Sequence, residues 1–305
     1  MLLTHIVSPE EEGLTLHQLL RGPMALSGRE TRNVKAQGAV TVDDAPFFSN
    51  QKVRAGMIVR VMLNDYDAAL QAPSCAAPVS VLYEDDALIA VRKPALVQCH
   101  PSPSAPGGSD TLESRVSNYL GMSVHPVHRL DRETTGIVLF ARLPYVQAHL
   151  QRQMADGSFK KVYRAWVFGV PSPLSGEICA PIRRETPDSF TRIVAEDGQT
   201  AISRYTVIQT LLLKEGQAVS LLELSPVTGR THQLRVHMTH IGCPLLGDTR
   251  YFSEASSRLS ASLSLSYHQL CAVSLSFIHP ITGRPMQLSC HADFSFDPAN
   301  ACASP

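Results

Sequence analysis

The sequence has no excess of charge of either sign. Its 305 residues carry 27 basic and 27 acidic side chains, which gives a formal net charge of zero at pH 7. Because non-specific binding to nucleic acid rests on a broad basic field, this balance excludes a protein that coats nucleic acid with its whole surface. Any nucleic-acid site must therefore be local. Two groups of basic residues are candidates: Arg142, Arg152, Lys160, Lys161 and Arg164, and then Arg230, Arg235 and Arg250.

Paired cysteines and long apolar runs are also missing. The seven cysteines include no Cys-x-x-Cys pair, and such a set indicates neither a disulfide framework nor a zinc ribbon. No apolar run approaches the ~20 residues that cross a bilayer, and the N-terminus lacks the basic start and apolar core of a secretory signal. We therefore expect reduced thiols and a cytoplasmic protein without a membrane partner.

The most informative stretch is His-Arg-Leu-Asp-Arg-Glu-Thr-Thr-Gly at residues 128–136. It places Asp131 between arginines, shortly before an apolar run at residues 137–141 that is typical of a strand buried on both faces. Asp131 is thus predicted on a loop held by a rigid element, where catalytic groups are often found. On local context alone, an aspartate of this kind is more often a solvated ion pair or a turn former.

Five segments resemble, in order along the chain, the motifs of RluA-type pseudouridine synthases. They are Lys-Pro-Ala at 93–95, the run at 128–136, Lys-x-Tyr-x-Ala-x-Val-x-Gly at 161–169, Thr-Gly-Arg-x-His-Gln-x-Arg-x-His at 228–237, and Phe-Ile-His-Pro at 277–280. Gly247 and Asp248, with Tyr251, follow the fourth segment as in the family. Three positions depart from the family pattern: Thr135 replaces serine, Leu96 replaces glycine, and Cys271 replaces histidine.

This resemblance implies an α+β catalytic domain with a mixed, largely antiparallel central sheet at residues 79–297. Alternation and apolar spacing within it predict two strands at 79–91, a helix at 144–156, and strands at 163–170, 203–213 and 218–224. We expect a linker at residues 71–78, which are rich in proline and alanine, and a C-terminal tail at residues 298–305.

Residues 1–70 are expected to form a small α+β domain in front of the catalytic one. Helix-like patterns at 13–20 and 26–32 precede strand-like patterns at 40–44 and 59–63, an order that resembles the S-four-like RNA-binding module. The usual asparagine-glycine turn between the strands is Asp43-Asp44 here. The alternative is an accessory domain that does not bind RNA.

The resemblance assigns the catalytic roles to Asp131, Tyr163 and Arg235. A carboxylate must be ionised while shielded from water to act as the nucleophile, or as the base that starts glycosidic cleavage. Burial can raise its pKa by about 3 to 5 units, whereas an adjacent arginine lowers it by about 1 to 3. By motif position that arginine is Arg235, predicted to hold Asp131 through a bidentate fork. Tyr163 corresponds to the tyrosine that packs against the target base.

The remaining predicted site residues bind substrate. Arg129 corresponds to the position that fills the space left when the target nucleotide flips out of its stack. The full predicted substrate-binding set is His128, Arg129, Thr134, Lys161, Arg230 and His232.

The family uses no cofactor or metal. The spacings of His125 with His128 and of His237 with His240 could nevertheless supply metal ligands, a reading that we disfavour because no acidic cluster or cysteine pair accompanies them.

We therefore expect a monomeric RNA pseudouridine synthase, with ribosomal RNA favoured over transfer RNA as its substrate. One alternative is a catalytically silent RNA-binding protein on the same scaffold. Another is a nucleoside or glycoside hydrolase, which would generally pair two carboxylates across the bond that breaks. Glu133 is the only nearby candidate for that second carboxylate.

Overall fold

The computed structural model describes residues 1–64, 77–101, 110–213 and 216–297. Most of the predicted linker and the whole predicted C-terminal tail lie outside these ranges. Within them, no helix combines the length and apolarity required to cross a membrane.

The first 64 residues build a four-stranded antiparallel sheet with two helices. Its elements are β1 (Leu2–Ile6), α1 (Leu16–Arg21), α2 (Gly28–Ala36), β2 (Val40–Val42), β3 (Ala45–Pro46) and β4 (Ile58–Met62), with the strand order β1-β4-β2-β3. Both predicted helices and the predicted strands β2 and β4 are present, whereas the sequence reading missed β1 and β3. Asp43 and Asp44 both have positive φ, 48° and 64°, as a two-residue hairpin turn requires.

Described residues between positions 80 and 289 contribute the strands of a ten-stranded sheet. Its strands are β5 (Ser80–Glu84), β6 (Leu88–Lys93), β7 (His125–Pro126), β8 (Thr135–Ala141), β9 (Lys160–Phe168), β10 (Ser175–Cys179), β13 (Ile202–Leu212), β14 (Ala218–Pro226), β15 (Leu270–Ile278) and β16 (Pro285–Ser289), while β11 (Ile182–Arg184) and β12 (Arg192–Val194) form a separate hairpin. Helices α3 (Leu112–Leu120), α4 (Pro144–Ala155), α5 (Gln233–His240) and α6 (Glu254–Ser262) accompany it.

The sheet is mixed and mostly antiparallel, as predicted. Its main strand order is β10-β13-β14-β9-β15-β8-β6-β5, with β16 beside β15 and β7 beside β8. The described parallel pair is β8 with β15. All the strands predicted from alternation are found with small shifts of their ends, and the predicted helix at 144–156 is α4.

Strand β8 lies inside the sheet between β15 and β6, and every residue of it is buried. Its alternate side chains enter two apolar cores, with Ile137 and Leu139 on one face and Val138 and Phe140 on the other. Gly136 at its start has φ 109°, and a Cβ there would lie 2.2 Å from the carbonyl oxygen of Ala272 on β15. Only glycine permits β15 to approach this closely, and the loop carrying Asp131 is thereby fixed at the edge of the core.

Candidate active site

A cavity of about 160 Å³ lies where three chain segments meet. They are the loop before β8, the first half of β9, and the turn between β14 and α5. All but one of the predicted site residues line it: Arg129, Asp131, Thr134, Lys161, Tyr163, Arg230, His232 and Arg235. The space equals about five water molecules at their liquid volume of about 30 Å³, so it suits one small planar group rather than a nucleic-acid helix.

Asp131 is the carboxylate of this cavity, and its side chain is 22% exposed. Its Oδ2 lies 3.2 Å from Nη1 of Arg235, which donates a hydrogen bond to it. The same oxygen is 3.9 Å from Nε2 of His232. The carboxylate is not part of a solvated surface pair, because a buried guanidinium holds it while one side faces the cavity. The residue also begins a turn, since its carbonyl accepts the backbone N–H of Thr134 at 3.1 Å.

The predicted bidentate fork from Arg235 to Asp131 is wrong. Arg235 gives its fork to Asp248, with Nε to Oδ2 at 2.7 Å and Nη2 to Oδ1 at 2.9 Å. Only the third nitrogen, Nη1, reaches Asp131. The reason is geometric: a guanidinium presents two donors along one edge, and Asp248, whose side chain is completely buried, occupies that edge.

Asp248 supports the site by holding Arg235, a contact that the sequence did not predict although the place of Asp248 after the fourth motif was noted. Burial raises its pKa, but the hydrogen bonds from Arg235 and that residue's charge outweigh this effect, and the net shift is downward. The pKa of Arg235 is raised because the two carboxylates outweigh its burial. The pair therefore stays charged, and Tyr251 supports it, with the Arg235 guanidinium carbon 4.9 Å from the ring centroid.

Tyr163 and Lys161 enter the cavity from β9. They lie two residues apart, so strand alternation places both on one face. Burial and the charge of Asp131 raise the pKa of Tyr163, and the phenol stays neutral at ordinary pH. Burial lowers the pKa of Lys161.

Thr134 is fixed from behind the cavity by a residue that the sequence reading missed. The buried ring of His268 places Nε2 2.8 Å from Thr134 Oγ1 and Nδ1 3.1 Å from Glu133 Oε2. Contact with His268 lowers the pKa of Glu133. Glu133 is thus engaged away from the cavity and does not line it, which removes the second carboxylate that a hydrolase would need.

His128 does not reach the cavity, contrary to its predicted place in the substrate-binding set. Its ring is buried against Phe159, with 5.9 Å between ring centroids, and Nε2 accepts the backbone N–H of Leu139 at 3.3 Å. Burial, and then the charge of Lys161, lower its pKa to about 3. We therefore interpret His128 as a neutral ring that holds β8 in place, and not as a residue that contacts substrate.

His232 and Arg230 hold the opposite wall. His232 is the N-cap residue of α5, with φ 59°, and its Nδ1 lies 2.7 Å from the hydroxyl of Tyr251. Burial lowers its pKa to about 4 despite the nearby charge of Asp131, so the ring is neutral. Arg230 donates from Nε to the carbonyl of Thr200 and lies at the exposed rim.

The first predicted basic patch does not form a single surface. Arg142 lies 3.5 Å from Glu84, Arg152 donates to the carbonyl of Ala25, and Lys161 lies in the cavity. Lys160 and Arg164 project from exposed positions of β9. These basic residues are close in sequence, but in the folded chain their side chains point in different directions.

Comparison with known proteins identifies the family of the chain. A sequence model of the family described as RNA pseudouridylate synthase matches residues 87–240, which include the loop of Asp131, β9 and α5. The chain belongs to this family. Its resemblance to RluA-type synthases is confirmed by relatives that carry that name, and the protein is a pseudouridine synthase whose substrate is RNA.

Two relatives illustrate the match. The dual-specificity RNA pseudouridine synthase RluA of Yersinia pestis is 34% identical over 215 residues, which cover 70% of this chain and 99% of the relative. Ribosomal large subunit pseudouridine synthase D of Zymomonas mobilis is 36% identical over 220 residues, 68% of this chain and 67% of the relative. Among solved structures, human RNA pseudouridylate synthase domain containing 1 matches 72% of this chain and 86% of its own, with a TM-score of 0.60 and 22% identity, and so shares the fold.

The structure describes all three positions at which the sequence departs from the family pattern, and Thr135 among them is buried at the start of β8. Leu96 has φ 67°, a left-handed conformation that glycine adopts without strain, and its carbonyl accepts a hydrogen bond from Arg132 Nε. The loop thus keeps a conformation suited to glycine although the residue has changed. Cys271 is completely buried in β15, away from the cavity lining.

Two histidines of the alternative metal interpretation, His128 and His237, have other hydrogen-bond partners. Nδ1 of His237 lies 2.9 Å from Ser203 Oγ, and its Nε2 lies 2.9 Å from the carbonyl of Ala180. In the described parts of the synthase, no three histidine, cysteine or acidic side chains are grouped as metal ligands.

Proposed function

We propose that this synthase converts specific uridines of RNA to pseudouridine with Asp131 as the nucleophile or initiating base. The observation that carries the proposal is the position of Asp131, which faces a cavity of one-base size while Arg235 holds it at 3.2 Å. Arg235 orients the carboxylate through its hydrogen bond, and Tyr163 offers an aromatic face on which a flipped base can stack. Such stacking contributes about 1 to 3 kcal/mol per base and reads no sequence.

We propose ribosomal RNA as the substrate in preference to transfer RNA. One relative is named for the large ribosomal subunit, and residues 1–64 form the small α+β unit that resembled an S-four-like RNA-binding domain. The proposed organisation is that N-terminal RNA-binding domain, a linker, the catalytic domain and a short tail. We further propose that the synthase acts as a cytoplasmic monomer without metal or cofactor, so that chelation leaves its activity unchanged.

The test uses unmodified transcripts labelled with tritium at carbon 5 of uridine. Isomerisation releases that hydrogen to water, so release measures the reaction directly. We expect release from large-subunit ribosomal RNA transcripts and little from transfer RNA transcripts. Release from transfer RNA alone would overturn the ribosomal assignment. No release from either, by folded protein that binds RNA, would favour a silent RNA-binding protein.

Arg129 is expected to lower the energetic cost of flipping the target nucleotide. It is exposed at the rim of the cavity, where it can fill the gap in a base stack. Flipping costs a few kcal/mol in a structured region and least where the base is already unstacked. We expect Arg129→Ala to slow tritium release at least about tenfold more on a structured transcript than on a single-stranded one. An equal loss on both would contradict this role.

The rim beside β11–β12 is expected to contact RNA phosphates. Arg250 is exposed and donates to Thr191 Oγ1, and its charge is among those felt by His232. We expect Arg250→Gln to weaken binding of all RNA sequences alike and to reduce the slope of log affinity against log salt by about 0.7 to 0.9. Arg258→Gln is the control, because Arg258 pairs with Glu254 on α6. Equal slopes for both variants would place the phosphate contacts elsewhere.

A further inference from the structure

Lys161 is a cation inside the cavity that meets no protein anion in the described part of the chain. Its ammonium makes no hydrogen bond or ion pair there. The head group reaches across to the turn between β14 and α5, since a Cβ built on Gly229 would lie 4.0 Å from Nζ. Lysine that is merely structural would be expected to contact carbonyl oxygens, as Lys93 does with three of them. Lys161 instead projects into the cavity.

No neighbouring anion compensates the positive charge of Lys161 within the described cavity. Among the described residues that line the cavity, the one carboxylate is Asp131, and Arg235 already holds it. The other charged neighbours, Arg129 and Arg230, are cations. Keeping an unpaired cation in a partly desolvated site is unfavourable, and burial accordingly lowers the pKa of Lys161. Enzymes commonly place such preorganised charges next to atoms that develop the opposite charge during the reaction.

The first step of the proposed reaction creates such an opposite charge. The bond between C1′ and N1 breaks with its electron pair, which remains on the base and makes a uracil anion with charge shared by N1 and the ring oxygens. Asp131 either donates a carboxylate electron pair to C1′ or removes the C2′ proton so that a C1′–C2′ double bond forms. The base then bonds to C1′ through C5 while the Asp131–C1′ bond breaks and frees the carboxylate, or, on the second route, while Asp131 returns the proton to C2′ of the double bond. The C5 proton then passes to water, and N1 gains a proton from water.

We infer that the Lys161 ammonium stabilises the uracil anion as it leaves C1′. The inference rests on the proposed function and adds a catalytic residue to it. Lys161 and Tyr163 share one face of β9, so a base stacked on the tyrosine ring brings its edge to the ammonium. A cation that served only to bind phosphate would need no place this deep, since exposed arginines already line the rim.

The test measures single-turnover conversion of large-subunit ribosomal RNA transcripts with saturating protein. We expect Lys161→Met to slow conversion by about 10²- to 10³-fold, the usual effect of removing one preorganised stabiliser, with the dissociation constant for RNA changed less than about threefold. Lys160→Met is the matched control, because Lys160 is an exposed neighbour on the same strand. It should convert RNA at the wild-type rate.

A second transcript separates leaving-group stabilisation from a structural role. Fluorine at carbon 5 of the target uridine withdraws electrons and makes the departing anion more stable by itself. The enzyme then has to supply less stabilisation. We therefore expect the factor by which Lys161→Met slows consumption of the target nucleoside to be at least about tenfold smaller on this transcript. A defect of equal size on both transcripts would overturn the inference, as would wild-type rates with weakened RNA binding. No conversion by wild type would overturn the proposed function itself.

Discussion

Asp131→Asn is expected to abolish tritium release, lowering the rate by at least about 10⁴-fold, as removal of a catalytic nucleophile commonly does. The amide has the shape of the carboxylate but offers no charge for attack at C1′ and no base for C2′. Arg235 can still donate to the amide oxygen, so the cavity should keep its form. The measurement is single-turnover tritium release beside RNA binding, and the binding should change little.

Two controls keep this result interpretable. Asp156→Asn removes a carboxylate that binds only its neighbour Ser158 in the described structure, and it should leave the rate unchanged. Glu133→Gln tests the second nearby carboxylate, and we expect a much smaller loss because Glu133 faces His268 rather than the cavity. If activity were retained in Asp131→Asn but lost in Glu133→Gln, our proposal would have assigned the chemistry to the wrong carboxylate.

Asp248→Leu is expected to lower the free energy of unfolding by about 3 to 5 kcal/mol, because it leaves the buried guanidinium of Arg235 without its fork. The lost contacts include more than the ion pair, since Asp248 Oδ1 also accepts the backbone N–H groups of Arg250 and Tyr251. Arg235→Met should destabilise the protein by a similar amount. Urea unfolding at neutral pH measures both changes.

The double variant Arg235→Met/Asp248→Leu distinguishes an ion pair from two independent contributions. Replacing both partners removes the uncompensated buried charge, so the double variant should be clearly more stable than the sum of the single effects predicts. It should nevertheless be inactive, because Asp131 has lost its arginine. Strict additivity of the two single effects would mean that the fork contributes little to stability.

The central sheet could be predicted because its signals are local. The run at 137–141 is apolar at every position, and α4 begins at Pro144 and ends before Gly157. Strand β1 escaped prediction because its five residues do not show clear alternation and are held by pairing with β4, more than fifty positions away. Likewise β3, which has only two residues, follows from the hairpin turn rather than from any pattern of its own.

The candidate site was predictable as a set of residues but not as a network. Motif order sufficed to nominate Asp131, Tyr163 and Arg235, which the cavity brings together. No sequence rule could assign the Arg235 fork to Asp248 instead of Asp131, because both carboxylates suit it and only packing decides. The position of His268 behind Thr134 could not be predicted either, because His268 lies outside the five family motifs. His128 was misplaced because a motif position carries no information about which way its side chain points.

The insertion of β15 between β8 and β9 has a consequence for synthesis of the protein. Strand β8 can pair with β6 early, but its other edge stays open until residues 270–278 have left the ribosome. Pairings over such sequence separations form slowly, and open strand edges are sites of aggregation. The loop of Asp131 therefore acquires its final support late, so a nascent chain that already carries all three proposed catalytic side chains has not yet brought them together.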